Sequence, residues 1–511
     1  MRKSIIELLE QYKKEVVFRT DRTQAPFGTP QLSEEAVLFD LAEKSHAVAH
    51  GGLPLIHQIA IASGLIHALN AVQVLKLKAP YFESDHLLNI TYNFLCGGRA
   101  LEHIEHRRRD PTYLNMLGTH SIPDPTTAGD FCRRYSTPQI DTLQDQINLV
   151  RLRVWARQSR SFFKEAVVDL DGVLAPTNGE CKQGMDISYN GAWGYHPLIV
   201  SLANTHEILY AMNRSGNRPS YEGAHVYIDK TIAVLLMAGF QKIRFRGDTD
   251  FSQTEHLDRW DDLGVSFVFG IDAMANLVDI ADSLENTEWE RLERPAKYAV
   301  KTVPRGKREN IKEQIVEQRG YRNLILDHED VAEVEYRPTK CKKSYRLVIV
   351  RKAITVKKGQ ELLLPEVRYF FYITNDHEKS TKEIVFESNA RCNQENLFAQ
   401  LKSGMNAMAM PLNTLNANWV YLICACLALS LKSWTALYID EAGSNCYDSG
   451  HKQQLLRMEF SSFVQAMIRL PAQVLRSGRK TVVRLLCMND WSKTFFRLAR
   501  SLCPMSCVRR E

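Results

Sequence analysis

The sequence has few cysteines and no regular spacing among them, with eleven in 511 residues. A small secreted domain held by disulfides would carry an even, regularly spaced set. The first residues, MRKSIIELLEQYKKEV, mix charges into the apolar positions, so they do not read as a secretory signal peptide. We therefore expect a protein of the reducing cytoplasm.

Long apolar runs are absent as well. The most apolar stretch, WVYLICACLALSL at 419–431, is shorter than the roughly 18 residues that a membrane-spanning helix needs. It therefore predicts a buried helix. No internal repeat or low-complexity tract stands out. At about 150 residues per domain, the length is that of about three globular domains.

The net charge of +6 is distributed unevenly. Residues 451–511 carry twelve Lys and Arg against three Asp and Glu, so this segment alone is more positive than the whole chain. Arginine interleaved with Phe and Trp suits a polyanion such as DNA, and we expect Arg479 and Lys480 to contact it. A solvated basic tail is the alternative.

Secondary-structure patterns divide the chain into an α/β core and helical flanks. Residues 1–160 are predicted to be helical, because their apolar residues recur at three-four spacing. Strand-like and helix-like segments alternate from 165 onward, which predicts an α/β core. Residues 273–380 are rich in β patterns such as YRLVIVRKAITV, and helical patterns return after them.

A helix start is predicted near Pro125 in IPDPTTAGDFCRRYS, with Arg133 and Arg134 one or two turns later. This segment could be a small helical unit that reads DNA. A helical cap with surface arginines explains the pattern equally well.

The stretch VVDLDGVLAP at 167–176 ends a predicted strand in two aspartates, Asp169 and Asp171. Phosphatases of the haloacid dehalogenase type would use Asp169 as nucleophile and Asp171 as acid/base. They also need Gly-Asp-x-x-x-Asp, and GDTDFSQ has Ser252 at the last position. Two-metal cleavage of a phosphodiester instead needs carboxylates from separate elements. Asp171 and Asp248 both end apolar strands and could meet on adjacent ones.

A third carboxylate is offered by the predicted helix NARCNQENLFAQLKSG at 389–404. At 100° per residue, Glu395 and Lys402 lie about 40° and 20° from Arg391, so the three share one face. Leu397 and Leu401 fall on the other flank, where they can pack on the core. Cations beside a carboxylate suit a metal ligand next to bound phosphates. A surface helix with an ion pair is the alternative.

The spacing Arg-x3-Glu-x6-Lys, preceded by strand-end aspartates in VVDLDG and RFRGDTDF, resembles the DDE transposases of bacterial insertion sequences. It is similar to the subgroup marked by Tyr-x2-Arg-x3-Glu-x6-Lys and a β-strand insertion before the glutamate. The resemblance implies an RNase H-like core over 161–272 and 381–440, interrupted by a β-rich insertion over 273–380. A helical DNA-binding region (1–160) and a basic helical region (441–511) would flank it.

The resemblance also implies a catalytic set. Asp171, Asp248 and Glu395 would hold two Mg²⁺ or Mn²⁺ ions, and Arg391 and Lys402 would contact backbone phosphates. The reaction would be cleavage at element ends, followed by attack of the freed 3′-hydroxyl on target DNA. The expected partners are DNA ends with terminal inverted repeats, target DNA and a second copy of the chain, in the nucleoid of a bacterial cytoplasm.

Two departures from the signature leave alternatives open. The signature tyrosine falls at Ser388. The first aspartate motif reads Asp171-Gly172-Val173 where the family often has Asp-x-Thr, so Asp169 is an alternative first ligand. An inactive or domesticated DNA-binding descendant is a further possibility.

Overall fold

The computed structural model describes residues 7, 11, 46–76, 80–294, 309–359, 361–363, 365–439, 446–477 and 480–502, without the side chains at 392, 393, 446–449 and 477. Its helices fall mainly before and after a central sheet. In chain order they are α1 Leu53–Ala62, α2 Leu65–Asn70, α3 Glu83–Leu95, α4 Ile104–Arg108, α5 Pro111–Met116, α6 Pro125–Cys132, α7 Thr137–Trp155, α8 Ala224–Ala238, α9 Thr254–Asp262, α10 Ala275–Ser283, α11 Ile311–Gln318, α12 Thr381–Asn389, α13 Cys392–Ala399, α14 Leu415–Leu437, α15 Cys446–Arg457, α16 Phe460–Phe463 and α17 Ser492–Leu502.

The strands form one large sheet and two small ones. In chain order they are β1 Ala47–Val48, β2 Glu165–Gly172, β3 Ala175–Pro176, β4 Asp186–Ile187, β5 Trp193–Tyr195, β6 Leu198–Leu202, β7 Glu207–Met212, β8 Lys242–Gly247, β9 Val265–Ile271, β10 Glu290–Arg291, β11 Arg322–Tyr336, β12 Tyr345–Lys358, β13 Glu361–Leu362, β14 Glu366–Thr374, β15 Ala472–Ser477 and β16 Lys480–Leu485. The small sheets are β3-β5-β4 and β1-β15-β16.

The central part of the large sheet has the order β7-β6-β2-β8-β9. Strands β7, β6 and β2 pair antiparallel, whereas β2, β8 and β9 pair parallel through the helical crossovers α8 and α9. Parallel strands are covered on both faces and therefore read as nearly continuous apolar runs, as in VSFVFGI of β9. This arrangement is that of an RNase H-like core, and the predicted α/β fold class is confirmed.

The β-rich segment continues the same sheet. Strand β14 pairs antiparallel with β9, and the order runs on through β12 and β11 to β10, which makes ten strands with β13 at the side. The paired register of β11 and β12 extends from Arg322 opposite Lys358 to Tyr336 opposite Tyr345. The insertion is therefore attached to the parallel half of the core by main-chain hydrogen bonds along β9.

Helix α14 lies at the centre of the helical part. It is long and apolar enough to cross a membrane by length and composition, but its most apolar window is entirely buried inside the protein. The predicted core helix is therefore confirmed, with bounds wider than 419–431. A buried ion pair helps to hold it: Glu207 on β7 accepts hydrogen bonds from Arg151 and Trp155 of α7 and from Trp434 of α14.

The C-terminal region differs from the helical prediction between 472 and 485. Strands β15 and β16 pair antiparallel there, and β15 pairs with β1 near residue 47. The segments AQVLRS and KTVVRL contain three valines, and this β-branched residue favours strands over helices. The two ends of the described chain are therefore joined by a common sheet.

Candidate active site

The two strand-end aspartates are brought together by the register of the parallel sheet. Asp169 of β2 pairs with Arg246 of β8, and two residues further along the same register Asp171 lies beside Asp248. Neighbouring strands are about 4.8 Å apart, and cross-strand neighbours point to the same face. Asp248 also caps the short turn that follows β8, because its Oδ1 accepts a hydrogen bond of 3.1 Å from the backbone N–H of Asp250.

A cleft of about 470 Å³ opens at this edge of the sheet. The three carboxylates predicted from the sequence all line it, together with Arg391. The remaining lining residues come from the ends of β8 and β9, from β14 and from the end of α12: Gly247, Thr249, Gly270, Ile271, Asp272, Ala273, Tyr369, Phe370, Phe371, Tyr372, Ser388 and Asn389.

Arg391 lies between the two aspartates. Its Nη1 is 3.7 Å from Asp171 Oδ2 and 3.5 Å from Asp248 Oδ2. Burial raises the pKa of Asp171 to about 7; Arg391 opposes that increase, and the charges on Asp248 and Glu395 add to it. Burial also raises the pKa of Asp248, again against the effect of Arg391. Even with Arg391 beside them, the two aspartates therefore resist carrying two negative charges unless a further cation binds between them.

Glu395 reaches the cleft from helix α13, which is anchored on the antiparallel half of the core. The buried side chain of Gln394 accepts a hydrogen bond from Ser201 Oγ and donates one of 3.4 Å to the carbonyl oxygen of Ile199, both on β6. Leu397 and Leu401 are buried, so the predicted packing flank is confirmed. Glu395 itself is exposed at the rim.

The donors suit a hard cation, but they are not yet gathered around one point. Carboxylate oxygens are the ligands that Mg²⁺ and Mn²⁺ prefer. Among the described residues, no three His, Cys, Asp or Glu side chains stand close enough together to hold a metal ion as they are. Asp171 and Asp248 are held in place by the sheet, and Glu395 is the exposed carboxylate of the three.

Lys402 lies in an irregular turn that follows α13. Residues Gln400–Gly404 form a π-helical turn, in which Met405 N–H bonds to the carbonyl oxygen of Gln400 over five residues. A π turn advances by a smaller angle per residue than the 100° assumed from the sequence. Lys402 is exposed and is not among the residues that line the cleft.

Asp169 is held in an ion pair beneath the cleft. Its two carboxylate oxygens accept hydrogen bonds of 2.7 and 2.9 Å from Arg246, and the side chain is buried. Both oxygens already have an arginine partner and Asp169 is not among the residues that line the cleft, which argues against it as a metal ligand or as a phosphatase nucleophile.

Four arginines and lysines were predicted to bind DNA outside the cleft. The predicted helix start at Pro125 is confirmed, with Asp124 as N-cap, and Arg133 follows the helix with its Nε bonded to Asn413 at 2.7 Å. Arg134 is exposed at the rim of a separate pocket beside His86. Lys480 begins β16 and is exposed, whereas Arg479 lies outside the described residues.

Tyr372 is a cleft residue that sequence reasoning missed. It comes from β14 of the insertion and lies beside Ser388, the residue at the position of the signature tyrosine. Four tyrosines and phenylalanines stand in a row in VRYFFYITN, and the pattern alone does not say which of them faces the aspartates. The pairing register of β9 and β14 decides which aromatic side chain shares a face of the sheet with the aspartates.

Comparison with known proteins is consistent with this geometry. A family model described as "Transposase DDE domain group 1" matches residues 42–507. Among solved structures, the chain is similar to the piggyBac transposase in a synaptic complex with hairpin DNA, at 10% identity and a TM-score of 0.37, over 82% of this chain and 81% of that one. No curated protein matches the sequence. Because the family match spans most of its length, the chain belongs to the DDE transposases of group 1.

Proposed function

We propose that this protein cleaves DNA at the ends of a mobile element and joins the freed 3′-hydroxyl to target DNA. The observation that supports this most strongly is the pair of half-buried aspartates, Asp171 and Asp248, brought side by side by the parallel register in a cleft that Glu395 also lines. Carboxylates from two strands and a helix are what phosphodiester cleavage with two metal ions requires.

Asp171, Asp248 and Glu395 would hold the metal ions. Two bound Mg²⁺ or Mn²⁺ ions would activate the attacking water or 3′-hydroxyl and stabilise the leaving oxygen. The aspartates are fixed by the sheet, so they supply the preorganised part of the site. Glu395 is exposed and can rotate toward them from the first turn of α13. The carboxylates act as ligands, and no covalent bond forms between protein and DNA.

Arg391 has the donors to bind a phosphate next to the cut. Its Nη1 is buried and has no hydrogen-bond partner, since the two aspartate oxygens are more than 3.4 Å away. A phosphate oxygen is a better-aligned partner for a guanidinium group than two distant carboxylates. Once cations neutralise the aspartates, we expect the Arg391 side chain to turn toward the DNA backbone.

The DNA substrate, the assembly and the cellular location are proposed from the resemblance to the family. The substrate would be element ends with terminal inverted repeats, brought together by two copies of the chain, in an insertion sequence of a bacterial nucleoid. Lys402, Arg133, Arg134, Arg479 and Lys480 would add contacts to phosphates away from the cleft.

The test is cleavage of an end-containing duplex by the purified protein with Mg²⁺ or Mn²⁺. Asp171→Ala, Asp248→Ala and Glu395→Ala should each abolish cleavage, and a double variant should lose little more, because the three act as a unit. DNA binding should persist, since removing a carboxylate near phosphates relieves repulsion. Asp250→Asn, two residues from Asp248 but outside the cleft, is the matched control and should cleave normally.

Two outcomes would contradict this proposal. A folded Glu395→Ala variant that cuts at the normal rate would remove the helix carboxylate from the mechanism. A wild-type protein that binds end DNA but cuts it with neither metal ion would indicate an inactive DNA-binding descendant.

A further inference from the structure

The two strands that carry the aspartates of the cleft stop pairing with each other before they reach them. Within the part of the chain that the structure describes, the last paired residues of β2 and β8 are Asp169 and Arg246, two positions short of Asp171 and Asp248. Beyond that point β2 pairs only with β6, and β8 only with β9. Main-chain pairing therefore ties each strand end to its outer neighbour, but it does not set the distance between the two aspartates.

The loop that joins β7 to α8, residues 213–223, contacts the end of β2, and we call it the bridging loop. Gly172, which follows Asp171, has no room for a side chain. A Cβ atom added there would lie 2.8 Å from Ser220 Oγ of the loop and 2.5 Å from His196 Nε2. Both side chains therefore lie directly against the main chain beside the first aspartate.

The next residue of the bridging loop contacts the end of β8. The carbonyl oxygen of Tyr221 accepts a hydrogen bond of 2.8 Å from Nε2 of Gln253. Gln253 closes the turn that Asp248 caps, because its backbone N–H bonds to the carbonyl oxygen of Phe251 at 2.8 Å. Two consecutive loop residues, Ser220 and Tyr221, thus reach both strand ends. The bridging loop connects the two ends where β2 and β8 do not pair.

Arg214 holds the bridging loop in this shape. Its Nη1 donates hydrogen bonds of 2.8–2.9 Å to three carbonyl oxygens of the loop, those of Pro219, Ser220 and Glu222. Its Nε donates one of 3.0 Å to the carbonyl oxygen of His196. Arg214 is buried, and buried carbonyl oxygens that lose their donor cost free energy. We therefore expect the loop to lose this shape without Arg214.

We propose that Arg214 is a positioning residue that sets the distance between Asp171 and Asp248 through the bridging loop. Arg214 is not among the residues that line the cleft, so it acts through the loop and not on the DNA. The inference rests on the proposed function, because it takes the two aspartates as metal ligands. It also accounts for Gly172 in the first aspartate motif, since a side chain there would push the loop away from β2.

The distance between the aspartates matters because the two metal ions of such a site lie about 3.5–4 Å apart. Removing a residue that orients metal ligands typically weakens metal affinity or activity about 10- to 100-fold. Mg²⁺ demands near-ideal octahedral geometry, so a changed distance should raise the Mg²⁺ concentration that half-saturates cleavage. A residue that only supports the fold would lower the amount of active protein and leave that concentration unchanged.

The experiment measures Mn²⁺ binding to the full-length protein by electron paramagnetic resonance and, separately, the Mg²⁺ dependence of single-turnover cleavage of an end-containing duplex. Arg214→Met should weaken Mn²⁺ binding and raise the half-saturating Mg²⁺ concentration, each by about 10- to 100-fold. Arg214→Lys keeps a cation with three donors and should lose less than about tenfold. Gln253→Ala removes only the contact with β8, and it should shift both values by about threefold to tenfold even if Arg214→Met unfolds.

Lys432→Met is the matched control. Lys432 is also a buried cation, and its Nζ donates a hydrogen bond of 2.9 Å to the carbonyl oxygen of Leu456, away from the cleft. The variant should be less stable in urea but unchanged in both metal measurements. A folded Arg214→Met or Gln253→Ala protein that binds Mn²⁺ as tightly as wild type would overturn the inference, and so would an equal loss in Lys432→Met. A wild-type protein that binds Mn²⁺ but cuts the duplex with neither metal ion would instead contradict the proposed function, while the Mn²⁺ measurement still tests Arg214.

Discussion

The strand half and the helix half of the candidate site differ in how firmly they are fixed. Asp171 and Asp248 lie at the ends of neighbouring parallel strands, are half-buried and have raised pKa values. Glu395 and Lys402 lie on a helix that passes into a π turn, and both are exposed. The strand half is set by main-chain register, whereas the helix half depends on a few side-chain anchors. Substitutions in the ion pair below the strands should therefore mainly lower the free energy of unfolding. Substitutions of the side chains that anchor the helix should mainly lower the rate of cleavage.

The largest effect should come from the ion pair beneath the strand half. Arg246→Met leaves Asp169 buried without a partner, and losing one member of a buried pair costs about 3–5 kcal/mol in the free energy of unfolding. Urea denaturation at neutral pH measures it. Arg368→Met removes an exposed partner of Glu366 and should cost less than about 1 kcal/mol.

A second change at Asp169 separates charge from packing. Combining Asp169→Asn with Arg246→Met removes the unpaired charge and should recover part of the lost stability. If Arg246→Met is as stable as wild type, the pair does not support the strands and the comparison between the two halves fails.

The strand half was predictable from sequence for a physical reason. Apolar runs that end in Asp171 and Asp248 predict strand ends, and parallel neighbours bring such ends to one edge. Arg391 and Glu395 were predictable because one regular helical turn separates them. The π turn at Gln400–Gly404 was not, since no pattern in QLKSG indicates one.

The insertion and the C-terminal hairpin show where local pattern is insufficient. The composition of the insertion predicts that it is rich in strands. Its attachment to β9, and with it the position of Tyr372, depends on pairing between strands that are far apart in the sequence. Strands β15 and β16 were predicted as helix because basic residues interrupt both periodicities, and pairing with β1, more than 400 residues away, decides the outcome.

The second effect is a pH dependence of stability caused by Asp171. Burial raises its pKa from the ordinary 3.8 to about 7, so the folded protein holds the proton more tightly than the unfolded chain does. The contribution of Asp171 to the free energy of unfolding is fully present below about pH 4 and is lost as the pH rises through about 7. It amounts to at most about 4 kcal/mol. In EDTA, Asp171→Asn should therefore lose less stability than wild type between pH 4 and pH 8.

Asp258 provides a control of opposite sign. Although burial opposes the change, hydrogen bonds from Lys342 and Tyr345 lower the pKa of Asp258, so its contribution is present above the unfolded value and is lost as the pH falls. Asp258→Asn should therefore reduce the loss of stability in acid. Identical pH profiles for wild type and Asp171→Asn would show that Asp171 does not titrate abnormally.

The third effect tests the anchor of the helix half. Gln394→Ala removes the hydrogen bonds that hold α13 on β6 and should lower stability by about 1–3 kcal/mol. Because Glu395 is then less well placed, cleavage should fall by about 10- to 100-fold while DNA binding persists. Asn396→Ala, at an exposed neighbouring position, is the control. A normal cleavage rate in Gln394→Ala would mean that the DNA or the metal ions position Glu395 without help from the anchor.

The smallest effect should come from Lys402, and it sharpens the comparison within the helix half. Lys402 is exposed beyond the π turn, so Lys402→Ala should weaken binding to any DNA sequence and reduce the salt dependence by about one phosphate contact. Cleavage at saturating protein should stay within about threefold of wild type, whereas Arg391→Ala should lower it far more, because Arg391 lies against both aspartates. Lys312→Ala, on α11 of the insertion, controls for a general loss of positive charge. A loss of cleavage in Lys402→Ala as large as in Arg391→Ala would show that Lys402 also acts next to the scissile phosphate.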